Sequence, residues 1–327
     1  MNRNSETDAS EPSGGRRGRL AWQPWQLPPL GWKDTVLRTW SNLLGHHTGL
    51  IAAGAAFYAL LAIFPAIAAI VAIWGLVAEP YEVVNQIEGF AMILPDQAAK
   101  LIMDQATSAS VRERQSLLTA IFAILFGIWS ASKGANAVID GLNVAYNEPE
   151  TRGFVARLLL RVVFTFFGIL GVLFAATLVV LLPAVLEGIG LPVRVELLIG
   201  AAKWVILGLG ATIALACLYR YGPSRKFARW TWISPGALMG VLIWMIGSAG
   251  FSLYVSRFAA YNEMYGTLGG VVVLLMWLYL TCFVIMLGGE LNAELERQTK
   301  KDTTTTPILP MGERGAYAAD TLGRARS

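Results

Sequence analysis

Four side chains in one apolar stretch could do chemistry in a setting where charge is expensive. In FGIWSASKGANAVIDGLN, Phe126 to Asn143, a membrane-type run fills with Lys133, Asn136, Asp140 and Asn143 at spacings of three, four and three. At about 100° per residue these positions share one side of a helix, so an ammonium, two amides and a carboxylate form a single polar stripe. A charge at the centre of a membrane helix costs roughly 2.5–3.5 kcal/mol on insertion scales, so the stripe is expected to face protein or water. The chemistry open to it is recognition. Lys133 would hold an anionic group, Asn136 and Asn143 would hydrogen-bond it, and a nearby carboxylate would tune the lysine or carry a proton. The plainer reading is a snorkelling Lys133, its stem packed and its amine at the interface.

A second carboxylate, Glu290 in LGGELNAE, closes the last apolar run at the same expected depth. Pairing with Lys133, or with Arg157, is the expectation for it. Gly288 and Gly289 before it would let another helix come close, as would Gly266, Gly269 and Gly270 in YGTLGGVVV. Pro65 in ALLAIFPAIAAI removes a helix hydrogen bond mid-run, which predicts a kink and a candidate hinge. Ala52, Ala55, Ala56 and Ala59 make a small-residue face that would place this run centrally.

The elements that must position these groups follow from composition. The chain has 327 residues, 55% hydrophobic and only 15% charged, where a soluble domain carries about 25%. Most of its surface therefore faces something other than water, and the expected fold class is all-α, a polytopic membrane protein. Six runs reach the roughly 20 residues a bilayer requires, at about 49–78, 117–145, 157–187, 195–220, 235–256 and 267–290. The polar segment between the first two predicts a helical hairpin outside the bilayer, broken at Pro95. From Trp32, the residues Val36, Leu37, Trp40, Leu43 and Leu44 share one face, which predicts a helix lying along the membrane surface.

Residues 1–30 read as a disordered basic lead, 31–297 as the membrane domain and 298–327 as a disordered tail. Of the 26 Lys and Arg residues, 19 fall on the side holding both ends of the chain. That bias predicts cytoplasmic termini and an extracytoplasmic hairpin.

Several chemistries lack their residues. Cys217 and Cys282 lie apart in apolar runs, and adjacent His46 and His47 point about 100° apart, so neither a disulfide framework nor a metal site is expected. The Gly-rich stretches lack the lysine of a phosphate loop, and the basic residues are too dispersed for a nucleic-acid face. Ser130 and Ser132 near Lys133 are a conceivable hydrolase pair, without a recognisable oxyanion device. No cofactor and no catalysis are expected.

AAGAAFYALLAIFP, IWSASKGANAVIDGLNVAY, RYGPSRKFARWTWISPGAL, YGTLGGVVVLLMWLYL and LGGELNAELER occur in that order. Together, from about Trp32 to Glu294, they resemble the YihY/virulence factor BrkB family of bacterial inner-membrane proteins. The resemblance implies six membrane helices and supplies no settled activity. Members have carried a tRNA-processing ribonuclease label (ribonuclease BN), which these residues do not support and which is read as a misassignment.

The leading expectation is a transporter-like or flippase-like protein that moves or binds a lipid or another amphiphile. A scaffold whose stripe meets a protein partner or a second copy of the chain is the alternative. A membrane-bound hydrolase or ribonuclease ranks below both.

Overall fold

A backbone surrounded by hydrocarbon must satisfy its own hydrogen bonds, so the long apolar runs become helices. The computed structural model describes residues 13–74, 100, 103, 104, 117–182, 192–257 and 267–325. Seven helices of more than two turns carry the architecture among them. They are α1 (Pro29–Gly45), α2 (Thr48–Trp74), α3 (Leu117–Ala145), α4 (Phe154–Ala176), α5 (Val193–Tyr221), α6 (Trp230–Arg257) and α7 (Thr267–Glu296). A π-helical turn, Thr177–Leu181, extends α4. Five stretches, Thr48–Pro65, Phe154–Val179, Leu198–Tyr221, Trp230–Ser256 and Gly269–Glu296, are long and apolar enough to cross a membrane. They fall on α2, α4, α5, α6 and α7. The hairpin around Pro95 and Gly266 lie outside the described residues.

α7 occupies the centre, in contact with α1, α2, α3 and α6. Small residues allow this. Ala52, Ala55 and Ala56 of α2 are buried with Cys282 of α7. A Cβ on Gly288 would lie 2.3 Å from the Tyr219 hydroxyl and 2.7 Å from the Gly236 carbonyl oxygen, so α7 meets α6 almost backbone to backbone and α5 through the Tyr219 side chain. Tyr219 uses that proximity to donate to the Ile285 carbonyl at 2.8 Å. Trp244 of α6 donates to Thr281 of α7 at 3.0 Å, a second polar tie between these helices. α2 runs along α3 and continues as helix through Pro65.

α1 begins with Pro29 at its first position, where the missing N–H costs nothing. Its polar face, with Asp34, Thr35, Arg38 and Thr39, is buried against the protein. Val36, Leu37, Trp40 and Leu44 are open on the other side. Leu43 is the exception to the expected outer apolar face and packs inward. His47, at φ 52°, makes the tight turn into α2.

The described parts of the two ends, residues 13–30 and 298–325, depart from the disorder expected of them. In the lead, Arg19, Ala21 and Leu27 are buried, and Ala21 and Leu27 share a cluster with Trp232, Leu291 and Leu295. In the tail, Gln298, Thr299, Asp302, Thr303, Thr304 and Arg314 are buried. Arg314 donates to the carbonyls of Lys300 at 2.8 Å and Ala319 at 2.7 Å. By composition alone, Ser, Thr, Gly and Arg suit water. Here they find partners in each other and at the end of α7.

Replacing Gly288 by Ala forces α5 and α6 away from α7. Overpacking of this kind costs about 1–3 kcal/mol, so the melting temperature of the detergent-purified protein should fall by several degrees. Gly171→Ala, whose added Cβ meets nothing within 4 Å, should leave it unchanged.

Candidate functional site

The α3–α4 hairpin brings three of the polar stripe's neighbours together. Arg157, in the first turns of α4, donates from Nη2 to Asp140 Oδ1 at 2.5 Å and from Nε to Asn136 Oδ1 at 3.2 Å. Asn136 also donates to Asp140 at 2.7 Å along α3. The group is open on one side, with Asp140 43% and Arg157 30% exposed at their side chains. Lys133 stands apart, exposed, its Nζ 5.8 Å from the centroid of the Trp129 ring.

Asn143 does a different job. It is buried, donates to Glu150 at 3.1 Å and accepts from the Ser224 backbone N–H at 2.7 Å. Arg152 grips Glu150 through two nitrogens, at 2.8 and 2.7 Å, and reaches the Gly222 carbonyl at 2.8 Å. This bidentate grip holds the Glu150 carboxyl down at about 2. The end of α3, the α3–α4 loop and the end of α5 are thereby clamped together. Asn143 belongs to this clamp rather than to an open stripe.

Glu290 does not meet Lys133 or Arg157. Its Oε1 lies 2.6 Å from His46 Nδ1, at the turn from α1 to α2, while its Oε2 is buried without a hydrogen-bond partner. The adjacent Glu290 carboxylate raises the His46 pKa above its ordinary value. The reason for the different partner is rotation about α7. Glu290 faces the turn after α1, whereas Lys133 is exposed over Trp129 of its own helix.

Glu290 is the first of three carboxylates at this end of α7, none more than 1% exposed. Arg38 of α1 is ion-paired through Nε with Glu294, and its Nη2 donates to Gln298 at 2.8 Å. Asn42 and Arg297 also donate to Glu294, at 2.9 and 2.5 Å. Glu296 receives both terminal nitrogens of Arg225, at 3.1 and 2.7 Å, and the Thr303 hydroxyl at 2.7 Å. The Arg225 guanidinium lies over the Tyr146 ring, 4.8 Å from its centroid. Arg38, His46, Arg225, Glu294 and Glu296 escaped the sequence reading as a cluster. The readable signal was GELNAELE itself, three carboxylates on one helix end where the dipole disfavours them.

Two arrangements therefore exist, with different chemical reach. The buried hub pairs its carboxylates internally, Glu290 Oε2 apart, and holds elements in place. The Asp140–Arg157–Asn136 group between α3 and α4 is partly exposed and open on one side. Ser130 is fully buried and donates to the Tyr58 carbonyl at 3.1 Å, a helix-to-helix tie that occupies its hydroxyl.

A family model described as Virulence factor BrkB matches residues 39–308. The ribonuclease-like protein YfkH of Bacillus subtilis (strain 168) is 32% identical over 254 residues, 75% of this chain and 89% of YfkH. UPF0761 membrane proteins of Tolumonas auensis and Pseudoalteromonas translucida are 33% and 36% identical over 90 and 69 residues. Those stretches cover 28% of each chain in the first case, and 21% of this chain and 23% of the relative in the second. No solved structure matches the chain.

Arg38→Ala leaves Glu294 buried without its main counter-charge. Breaking a buried pair costs about 3–5 kcal/mol, so unfolding in detergent should shift by that amount. The His46 contact carries a pH signature. With its folded pKa raised, its stabilisation is complete below about 6.5 and is lost as pH rises through the raised value. The melting-temperature gap between wild type and His46→Gln should therefore narrow between pH 6 and pH 9.

Proposed function

Because this chain belongs to the virulence factor BrkB family of membrane proteins, we propose that it handles an amphiphile in a bacterial inner membrane, in a transporter-like or flippase-like manner. The observation that carries this reading is the open Asp140–Arg157–Asn136 group between α3 and α4. Lipid tails cannot solvate an ion pair exposed to this degree, so water or a polar headgroup must reach it.

In this reading α3 is the sixth membrane span. The end carrying the buried hub, the lead and the tail is cytoplasmic, in keeping with the basic residues concentrated there. Lys133 receives the anionic part of the ligand, Asn136 hydrogen-bonds it, and Asp140 tunes the local charge through Arg157. Asn143 and Glu290 drop out of the pathway, since each is committed to structural partners. Pro65, within α2 where it lies along α3, is the proposed hinge. The protein is proposed to be non-catalytic. YfkH carries the word ribonuclease in its name, and among the described residues no hydroxyl of the groove is hydrogen-bonded to a base that would activate it for such a reaction.

Purified protein in liposomes tests this through transbilayer movement of fluorescent anionic and zwitterionic lipids, read by outer-leaflet quenching. Wild type should move the anionic lipid, and Lys133→Ala should slow that movement about tenfold, the worth of one charge-assisted contact. Folded protein that moves none of several lipids would shift the assignment to a scaffold, with a protein partner or a second copy seated on the groove.

A further inference from the structure

The register of the α3–α4 hairpin extends the groove beyond the residues of the stripe. Arg157 is tied to Asn136 and Asp140, and the two helices run antiparallel across the loop that joins them. One turn further along α4, about 6 Å deeper, is Arg161. On α3, Lys133 lies about 7.5 Å from the midpoint of Asn136 and Asp140 in the same direction. Arg161 and Lys133 therefore sit at one level of the hairpin. Thr165, another turn on, reaches the level of Trp129.

The polar atoms at this level are unspent. Arg161 Nε is buried with no hydrogen-bond partner, and so is Thr165 Oγ1. Among the described residues neither Arg161 nor Lys133 makes an ion pair. Thr165 shares this state with Thr39 of α1 and differs from other helical threonines. Thr35, Thr177, Thr212 and Thr281 all return their hydroxyls to the carbonyl four residues back, at 2.8–2.9 Å, as helical threonines ordinarily can. Thr165 does not.

Charge makes the same point. Along this stretch of the hairpin Lys133, Arg157 and Arg161 stand against one carboxylate, Asp140, which Arg157 already holds. The buried part of Arg161 carries a desolvation cost that an anion would relieve. The donor types also select the anion. A guanidinium fork, an ammonium and a hydroxyl match the tetrahedral oxygens of a phosphate group. Trp129, 51% exposed, adds a ring that favours both the ammonium and the headgroup region.

We propose that Lys133, Arg161 and Thr165 form a binding site for a phosphate-type anion between α3 and α4, carried by a lipid headgroup or free in solution. This rests on, and deepens, the amphiphile-handling reading of the same groove. Arg161 supplies the paired donors, Lys133 the opposing charge and Thr165 the third donor.

Native mass spectrometry of the full chain in detergent tests the site at equilibrium, without transport. The probes are phosphatidylglycerol, phosphatidylcholine and inorganic phosphate. Wild type should retain phosphatidylglycerol in preference to phosphatidylcholine. Arg161→Gln and Lys133→Gln should each weaken retention about tenfold and Thr165→Val about threefold. Lys203→Gln, which removes a cation stacked on Trp204 elsewhere, should change nothing. Arg161→Lys, which keeps the charge, should recover part of the loss, and a monodisperse elution profile establishes folding for each variant. Displacement of phosphatidylglycerol by millimolar inorganic phosphate would assign the site to the free anion, and resistance to it would assign the site to the lipid. Equal retention by wild type, Arg161→Gln and Lys133→Gln would overturn the site. Retention that needs Arg161 in a protein that moves no lipid would leave the site standing and remove the transport reading.

Discussion

Three carboxylates without water are the constraint around which the described chain is organised. Glu290, Glu294 and Glu296 lie at the end of α7, almost fully buried, where the helix dipole already disfavours negative charge. A buried carboxylate is tolerable only if it is paired and hydrogen-bonded. The chain answers by bringing Arg38 and His46 from α1 and its turn, Arg225 from the loop before α6, and Thr303 from the tail. The lead joins through Gln298, which donates to the Arg17 carbonyl at 2.8 Å, and through Lys300, whose N–H donates to the Arg19 carbonyl at 2.8 Å. One desolvation problem thus explains why segments far apart in sequence converge on one end of the bundle. Burying such pairs gains little net stability over apolar packing, yet removing either partner is costly. The hub specifies an arrangement more than it strengthens one.

The α3–α4 groove follows the opposite rule. Its central pair is half open, and the cations beyond it outnumber the carboxylate that could neutralise them. The clamp of Asn143, Glu150, Arg152 and Ser224 fixes the base of the hairpin without drawing on the polar groups above it. Rigid packing below and unspent donors above are the combination a binding site needs.

The helix-on-helix contacts show how tightly α7 is seated. Gly236 and Gly288 bring backbones together, and Gly289 would drive a Cβ to 2.6 Å from Leu142. α4 and α5, by contrast, leave long apolar faces open. Leu198, Val205, Leu209 and Ile213 of α5 and Phe166 and Phe167 of α4 are all exposed. Faces of this kind suit hydrocarbon, which is as apolar as they are, so lipid contact needs no partner helix.

By itself the sequence determined the class of the protein, because hydropathy and helix length are local properties. The apolar runs fell on helices, the polar face of α1 was visible as a period, and the stripe on α3 could be drawn from spacing alone. Family resemblance was equally legible, carried by blocks in fixed order. Only the tertiary structure decided which charge meets which. The rotation of α7 sends Glu290 to His46 instead of Lys133, and the register of the hairpin gives Asp140 to Arg157. It also showed that Thr, Gly and Arg in the lead and tail are partnered rather than solvated, a difference composition cannot express. Pairing depends on helix rotation, register and burial, which arise from contacts distant in the chain. A single sequence records the groups that can pair, while their choice among partners is made in three dimensions.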